Sequence, residues 1–341
     1  MDRADKAALR LAIGLGLAVL IAYGLALPLP FVACVLTVLL LSKPGPPIPF
    51  AKGAVLALVV AGLLVAGVLM VPILENYAVT GVVLTGALLY AVFFAGARSA
   101  NPLTIILVIA ITVIPVAGVA EQALATVLSV AFGVGLGTGV LVSGISHVFF
   151  PDAPAPTVAP AVATVSSEVA NWAALQATLV VMPVFVLALT NPVLYLAAII
   201  KTVTLGQQAS ATNARSAGRE LVGSTLMGAW MAALVWAGLS LQPNLWMLML
   251  WMVAAALWAG AKLFGVRRTS FPPSFWSNAL VTMLILLGPA IEDAAVGKDV
   301  YSASATRVAL FIAVALYAWA TVWVLERWHG SRSKVLVLRR T

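Results

Sequence analysis

The feature that most constrains this sequence is a succession of apolar stretches, most of them about twenty residues long. A helix of that length crosses the roughly 30 Å hydrocarbon core of a bilayer. Hydrophobic residues make up 63% of the chain and charged residues 9%, whereas a soluble domain carries about 25% charged residues. The apolar positions lack the alternation of an outer-membrane strand. The sequence therefore predicts an all-α polytopic membrane protein.

The apolar stretches number about twelve, and a Pro/Ala-rich segment without apolar periodicity divides them equally. We predict a six-helix unit over residues 1–150, a cytosolic linker over 151–168, a second six-helix unit over 169–326 and a basic cytosolic tail over 327–341. The predicted spans are 8–26, 28–42, 53–74, 78–96, 102–119 and 123–149, followed by 169–189, 192–206, 221–241, 245–264, 273–291 and 303–325.

The two units share an internal repeat. The tetrad AGAR at 95–98 recurs as AGAK at 259–262, and at the same offset Lys201 corresponds to Thr37. Because six spans are an even number, the second unit enters the membrane from the side on which the first began. This predicts two parallel repeats about an axis along the membrane normal.

Small residues four apart predict close helix contacts at Gly133 and Gly137 and at Gly135 and Gly139. Lys and Arg collect on one side of the predicted topology, and only Lys298 lies in a loop on the other. The positive-inside rule then places both termini in the cytosol. The net charge of +8 follows from this topology and does not indicate a nucleic-acid partner.

Motifs for catalysis are missing from the sequence. It contains no G-x-x-x-x-G-K-[ST] phosphate loop. Its two histidines, His147 and His329, fall at cytosolic ends of spans, and Cys34 is the single cysteine. We therefore expect neither an enzyme nor a cofactor or metal.

Lys201 is predicted near the middle of the eighth span, ten residues after Asn191. That places it about 15 Å deep at the helical rise. A central lysine costs about 2.5 to 3.5 kcal/mol and normally faces a bundle interior or a watery cavity. A structural lysine or one that snorkels to the interface is the alternative, although this depth makes snorkelling difficult. We favour substrate binding.

Other polar and aromatic residues surround Lys201 in this interpretation, because Thr204 and Gln208 share its helix face and Asn278 and Thr282 form an i, i+4 stripe. A cation among hydroxyls, amides and rings suits an aromatic organic anion. The predicted substrate-binding residues are Lys201, Thr204, Gln208, Thr37, Tyr195, Phe31, Trp276, Asn278, Thr282, Gln176 and Arg307. For Arg307, snorkelling is the alternative. The acids Glu121, Glu292 and Asp293 are predicted to couple protons, with solvated loop acids as the alternative.

Each half also carries residues that resemble the motifs of a known family. They are Arg10, Pro30-Phe31, Thr37 and Lys43-Pro44 in the first half, and Asn191-Pro192, Tyr195, Gln207, Arg219 and Gly223 in the second. With these residues the chain resembles the fusaric acid resistance and aromatic acid exporter superfamily over essentially its whole length. The resemblance implies proton-driven efflux of aromatic carboxylates with a periplasmic adaptor of the membrane-fusion type. Many relatives carry large cytosolic domains that this chain lacks. A homo-oligomer is possible.

Two other functions stay open from the sequence. A passive anion channel is one, since plant malate channels resemble the same six-helix unit, but Thr37 opposite Lys201 breaks the expected symmetry of basic residues. A non-transporting membrane scaffold is the other, although it does not need a central lysine.

Overall fold

The computed structural model describes residues 2–43, 45, 50–99, 104–151, 166–209 and 217–338. Within these ranges the chain is helical and contains no strand. The first half forms α1 Arg3–Gly24, α2 Pro30–Leu41, α3 Phe50–Val68, α4 Val71–Asn76, α5 Ala78–Ser99, α6 Thr104–Ala120 and α7 Gln122–Phe149. The second half forms α8 Ser167–Thr190, α9 Pro192–Ala209, a π-helical turn Gly218–Val222, α10 Gly223–Leu241, α11 Leu245–Leu263, α12 Pro273–Ala295 and α13 Val300–Leu338.

Nine segments in these ranges are long and apolar enough to cross a membrane: 3–24, 58–76, 78–98, 122–149, 167–190, 218–241, 245–263, 273–295 and 300–328. Helices α2 and α6 are shorter apolar helices. Helix α9, which contains Lys201 and two glutamines, is not among the nine. The chain is thus a multi-pass, all-α membrane protein. Most of the predicted linker, residues 152–165, lies outside the described residues.

Proline and asparagine define where several helices begin. Pro273 is the first residue of α12, where a missing N–H breaks no intrahelical bond. The side chain of Asn191 accepts the Leu194 N–H at 3.2 Å at the start of α9. Asn244 accepts the Met247 N–H at 2.8 Å at the start of α11. At these three helices the predicted and observed starts coincide.

Corresponding helices of the two halves have corresponding neighbours. Helix α1 packs against α11, and α8 packs against α5. Helix α2 packs against α12, and α9 packs against α6. Within the halves, α1 packs on α2 as α8 packs on α9, and α3 packs on α6 as α10 packs on α12. Helices α2, α6, α9 and α12 therefore lie where the halves meet.

We call the side on which α1 begins the N-side. Helix α7 ends there, because Lys6 Nζ donates at 3.0 Å to the carbonyl oxygen of Pro151, two residues beyond the end of the helix. Helix α2 ends there too, since His147 of α7 contacts the Gly45 carbonyl. Helix α3 leaves this side and α5 returns to it. Tyr90 of α5 hydrogen-bonds to Asn171 near the start of α8, and Gly86, one turn earlier on α5, lies next to Met182, further along α8. Helix α8 is therefore antiparallel to α5 and begins on the N-side.

The two glycine pairs of α7 have different surroundings. A Cβ added to Gly135 would lie 3.1 Å from the Ala33 backbone, and one added to Gly139 would lie 2.9 Å from a methyl of Leu40. These glycines allow α2 to approach α7. Around Gly133 and Gly137, no atom of the described residues lies within 4 Å of an added Cβ. The predicted close contact is therefore wrong for Gly133 and Gly137, because those glycines face open space.

Candidate functional site

Lys201 is fully buried on α9, and its ammonium group contacts α12. Its Nζ donates to Thr282 Oγ1 at 2.6 Å and to Asn278 Oδ1 at 3.2 Å. The Asn278 amide in turn donates to Ser224 Oγ of α10 at 2.6 Å. Among the described residues no carboxylate pairs with Lys201. Three helices therefore meet at this lysine through neutral groups.

Gly228 lets α10 approach this network. A Cβ added to Gly228 would lie 2.5 Å from Thr282 Cβ and 2.6 Å from the carbonyl oxygen of Ala279 on α12. No side chain larger than hydrogen fits without a shift of one helix. The position of Thr282, and with it the acceptor for Lys201, depends on this close approach.

Two further predicted residues lie on α9 with Lys201, and a third lies next to its partner Asn278. Thr204 donates its hydroxyl to the carbonyl oxygen of Lys201 at 2.7 Å, and Gln208 is buried towards the N-side end of α9. Trp276, two residues before Asn278, is buried in an aromatic cluster, with the Lys262 ammonium 4.3 Å from the centroid of its ring.

Four other predicted residues take no part in the hydrogen bonds of Lys201. Thr37 is buried on α2 and donates to the Ala33 carbonyl at 2.8 Å. Phe31 packs against Gly288 where α2 meets α12. Gln176 is buried on α8, and Tyr195 is half-buried near the start of α9. The structure therefore groups Lys201 with Asn278 and Thr282 and disperses these four.

Arg307 and Asp293, which were assigned different roles from the sequence, form an ion pair. Arg307 Nη2 lies 2.6 Å from Asp293 Oδ2, and Lys298 Nζ lies 3.9 Å from Asp293 Oδ1. The pair links the end of α12 to the start of α13 on the far side. Glu292 is half-buried, and Glu121 is exposed between α6 and α7. Nothing in the geometry brings the three acids together as one proton site.

A cavity of about 240 Å³ lies at the N-side among α1, α2, α6 and α7. Gln207 of α9 and Phe264, just after α11, continue its wall into the second half. Arg10, 4% exposed, is the most buried of its ionisable groups. No aspartate or glutamate of the described residues lines the cavity. The polar residues of its wall are Arg10, Lys43, Ser143, His147 and Gln207. We call this cavity the N-side pocket.

Arg10, Lys43 and His147 are not among the binding residues predicted from the sequence. From the sequence, Arg10 and Lys43 were counted among the basic residues that set the membrane topology, and His147 was placed at the cytosolic end of a span. One signal was present, because Arg10 lies a full helical turn beyond Lys6 and therefore deeper than an orienting charge needs to be. Only the packing of four helices shows that these side chains surround one cavity.

The chemistry of the N-side pocket favours a small anion. Arginine and lysine form charge-assisted hydrogen bonds with carboxylates, and the leucines and isoleucines of the wall suit a hydrophobic body. The volume lies just below the usual range of about 300 to 1,000 Å³ for ligand cavities, which favours a molecule the size of benzoate.

Residues 7–145 match a family described as "Protein of unknown function (DUF2955)". The match runs from α1 into α7, so it includes Arg10 and Lys43 and ends just before His147. The comparison with curated proteins gave no match, and neither did the comparison with solved structures. The first half of the chain is therefore similar to a family whose description states no function.

Proposed function

We propose that this protein is a secondary exporter of small organic anions, with aromatic carboxylates as the substrate class. The observation that carries the proposal is the N-side pocket, in which Arg10, Lys43 and His147 surround a small cavity without a carboxylate. A cationic and otherwise apolar cavity favours an anion with a hydrophobic body. The sequence resemblance to the fusaric acid resistance and aromatic acid exporter superfamily implies the same class.

Lys201 supplies the next positive charge along the proposed route. Helix α9 runs towards the N-side, so Lys201 lies six residues deeper than Gln207 of the pocket wall, about 9 Å at the helical rise. A carboxylate that reached it would replace Thr282 and Asn278 as acceptor for the ammonium group. In the conformation described, Lys201 is closed off, so α9 and α12 must separate before substrate reaches it.

The proposal includes twelve membrane helices in two parallel six-helix repeats. Two observations support it: the matched neighbours of corresponding helices, and the start of both α1 and α8 on the N-side. The interface between repeats is where secondary transporters bind their substrates. Helix α9, which carries Lys201, packs at that interface against α6.

We place the N-side in the cytosol of a bacterial inner membrane. The basic residues Arg3, Lys6 and Arg98 lie at N-side ends of helices, as the positive-inside rule requires of a cytosolic face. The exporter would be driven by the proton gradient and would deliver substrate to a periplasmic adaptor of the membrane-fusion type, as the resemblance implies.

A passive anion channel is the second candidate, since a cationic pocket serves a channel equally well. The hydrogen bonds of the buried Lys201 favour the exporter, because they close the route beyond the pocket. A channel in this conformation would need a continuous path past α9.

Efflux of labelled benzoate from cells that express the protein tests the proposal. Export should collapse when a protonophore is added and continue when ATP is depleted at a maintained gradient, because the sequence contains no nucleotide-binding loop. Cells with the empty vector provide the background. Benzoate flux that follows ATP at a clamped gradient would contradict the proposal, and downhill flux that ignores the protonophore would identify the channel.

A further inference from the structure

His147 is held between two backbone carbonyl groups at the edge of the N-side pocket. Its Nδ1 lies 2.7 Å from the carbonyl oxygen of Ser143, one turn earlier on α7. Its Nε2 lies 3.2 Å from the carbonyl oxygen of Gly45, in the connection that follows α2. The ring is half-buried and lines the cavity. His147 therefore joins α7 to the segment after α2 at the pocket edge.

The two contacts together define the protonation state of the ring. A carbonyl oxygen only accepts hydrogen bonds, and a neutral imidazole has a single N–H. Both contacts are hydrogen bonds only when both ring nitrogens carry a proton. In the neutral ring, one nitrogen lone pair would face a carbonyl oxygen, so one contact would be lost. The two distances therefore suit an imidazolium cation better than a neutral ring.

The other ionisable groups of the described residues that line the cavity with His147 are cations. Arg10 comes from α1 and Lys43 from the residues after α2, and both line the same cavity. Lys6 of α1 lies nearby, bonded to the Pro151 carbonyl beyond the end of α7. Asp2 and Asp5, at the start of α1, do not line the cavity, and Asp5 accepts the Asp2 N–H at 3.2 Å. Among the described residues no carboxylate lines the cavity beside His147, and an anion that enters the pocket supplies a counter-charge to the imidazolium.

We infer that His147 is a proton-binding site linked to the N-side pocket, and that the protein binds its anion there together with a proton on His147. This inference rests on the proposed function. In the linked step, a proton from solvent adds to the free ring nitrogen of neutral His147, and the entering carboxylate balances the new positive charge. No bond of the anion is made or broken, and the proton returns to the N-side when the anion leaves the pocket, so this step carries no proton across the membrane.

The linkage has a use for a protein that removes weak acids. An uncharged acid that crosses a membrane dissociates in the cytosol, where it leaves its anion and an additional proton. The anion and the falling pH would then act on the same pocket. The N-side pocket would bind most tightly when the load of acid is greatest.

Calorimetry with benzoate and the purified full-length protein tests the linkage, because benzoate stays ionised across the range in which histidine titrates, about pH 5 to 8. With one linked proton, benzoate affinity should fall about tenfold per pH unit once His147 is neutral. Titration in two buffers of different ionisation enthalpy should show uptake of up to one proton per benzoate bound.

Three variants separate the proton site from general effects of mutation. His147→Gln should bind benzoate weakly at every pH, and His147→Arg, which is always charged, should bind tightly without pH dependence. His329→Gln changes the other histidine of the chain and should keep the wild-type profile. Wild-type affinity that does not change with pH, or a His147→Gln variant that keeps the pH dependence, would overturn the inference.

A measurement without anion separates this inference from the proposed function. Histidine-selective ¹⁵N NMR of His329→Gln should show the ring of His147 change from singly to doubly protonated as the pH is lowered without benzoate. Protein that binds no benzoate at any pH would overturn both the proposed function and the linkage. If His147 still becomes doubly protonated in that protein, only the assignment of a proton-binding site remains. If the ring stays neutral, that assignment is also wrong.

Discussion

Lys201 and Arg10 are both buried cations, but they are buried in different surroundings. Lys201 is enclosed, and side-chain oxygens of Thr282 and Asn278 accept its hydrogen bonds. Arg10 lines a cavity that it shares with Lys43 and His147. Among the described residues no carboxylate pairs with Lys201, and none lines the cavity of Arg10.

The difference indicates how each charge is compensated. A buried ammonium group with neutral acceptors has its hydrogen bonds satisfied, although its charge remains unpaired. Cations around a cavity leave room for a counter-ion from solution. We therefore interpret the N-side pocket as the first anion site in this conformation, and Lys201 as a site that becomes available after a rearrangement.

The largest expected effect comes from Arg10→Gln. Loss of a hydrogen bond to a charged group is worth about 1.5 to 3 kcal/mol, so benzoate affinity should fall about 10- to 100-fold. Arg98→Gln removes the same charge from an exposed position on α5 and should leave the affinity unchanged. Calorimetry on folded protein measures both. Equal affinities in the two variants would show that the pocket is not the anion site.

Lys201→Met should separate transport from binding. Loss of the hydrogen bonds of Lys201 should cost about 1 to 3 kcal/mol of stability. Removal of a charge from the middle of the membrane should recover about 2.5 to 3.5 kcal/mol, so the protein should stay folded. Benzoate affinity of the pocket should stay within about twofold, while efflux falls about tenfold or more, because the carboxylate would lack a counter-charge at the second site.

Lys201→Arg should keep partial efflux, limited by the shape of the guanidinium group. Melting temperature in detergent and benzoate efflux are measured on the same variants. A purely structural lysine would give the reverse pattern, with lower expression and stability but normal transport by the surviving protein. A stable, fully active Lys201→Met protein would end the assignment of Lys201 to substrate.

The smallest effect is expected from Gly228→Ala. The added methyl group would press on Thr282 and Ala279, and overpacking of this kind costs about 1 to 3 kcal/mol. Melting temperature should fall, and efflux with it, since Thr282 holds Lys201. Gly137→Ala adds the same methyl group to α7 where none of the described residues is within 4 Å, so its stability should not decrease. Equal melting temperatures for Gly228→Ala and the wild type would mean that α10 and α12 can move apart at this contact without loss of stability.

The sequence predicted the helices well where an apolar stretch has a clear starting residue, as at Asn191 or Pro273. It also predicted that Asn278 and Thr282 share a face, because helical spacing determines that directly. It did not show which pair of α7 glycines packs against α2, because both pairs have the same spacing. Nor did it show the ion pair of Asp293 and Arg307, or the N-side pocket, since those depend on how separate helices pack.

The turn between α1 and α2 has a mechanical consequence. Ala26 and Leu29 both adopt left-handed conformations, with φ of 49° and 48°, although neither is a glycine. Each costs about 1 to 2 kcal/mol and persists only where neighbouring contacts fix it, as the hydrogen bond from Leu27 N–H to the Ala22 carbonyl does at 2.9 Å. The corner thereby helps fix the angle between α1 and α2, and with it the positions of Arg10 and Lys43, which lie at the opposite ends of the two helices and line the same cavity.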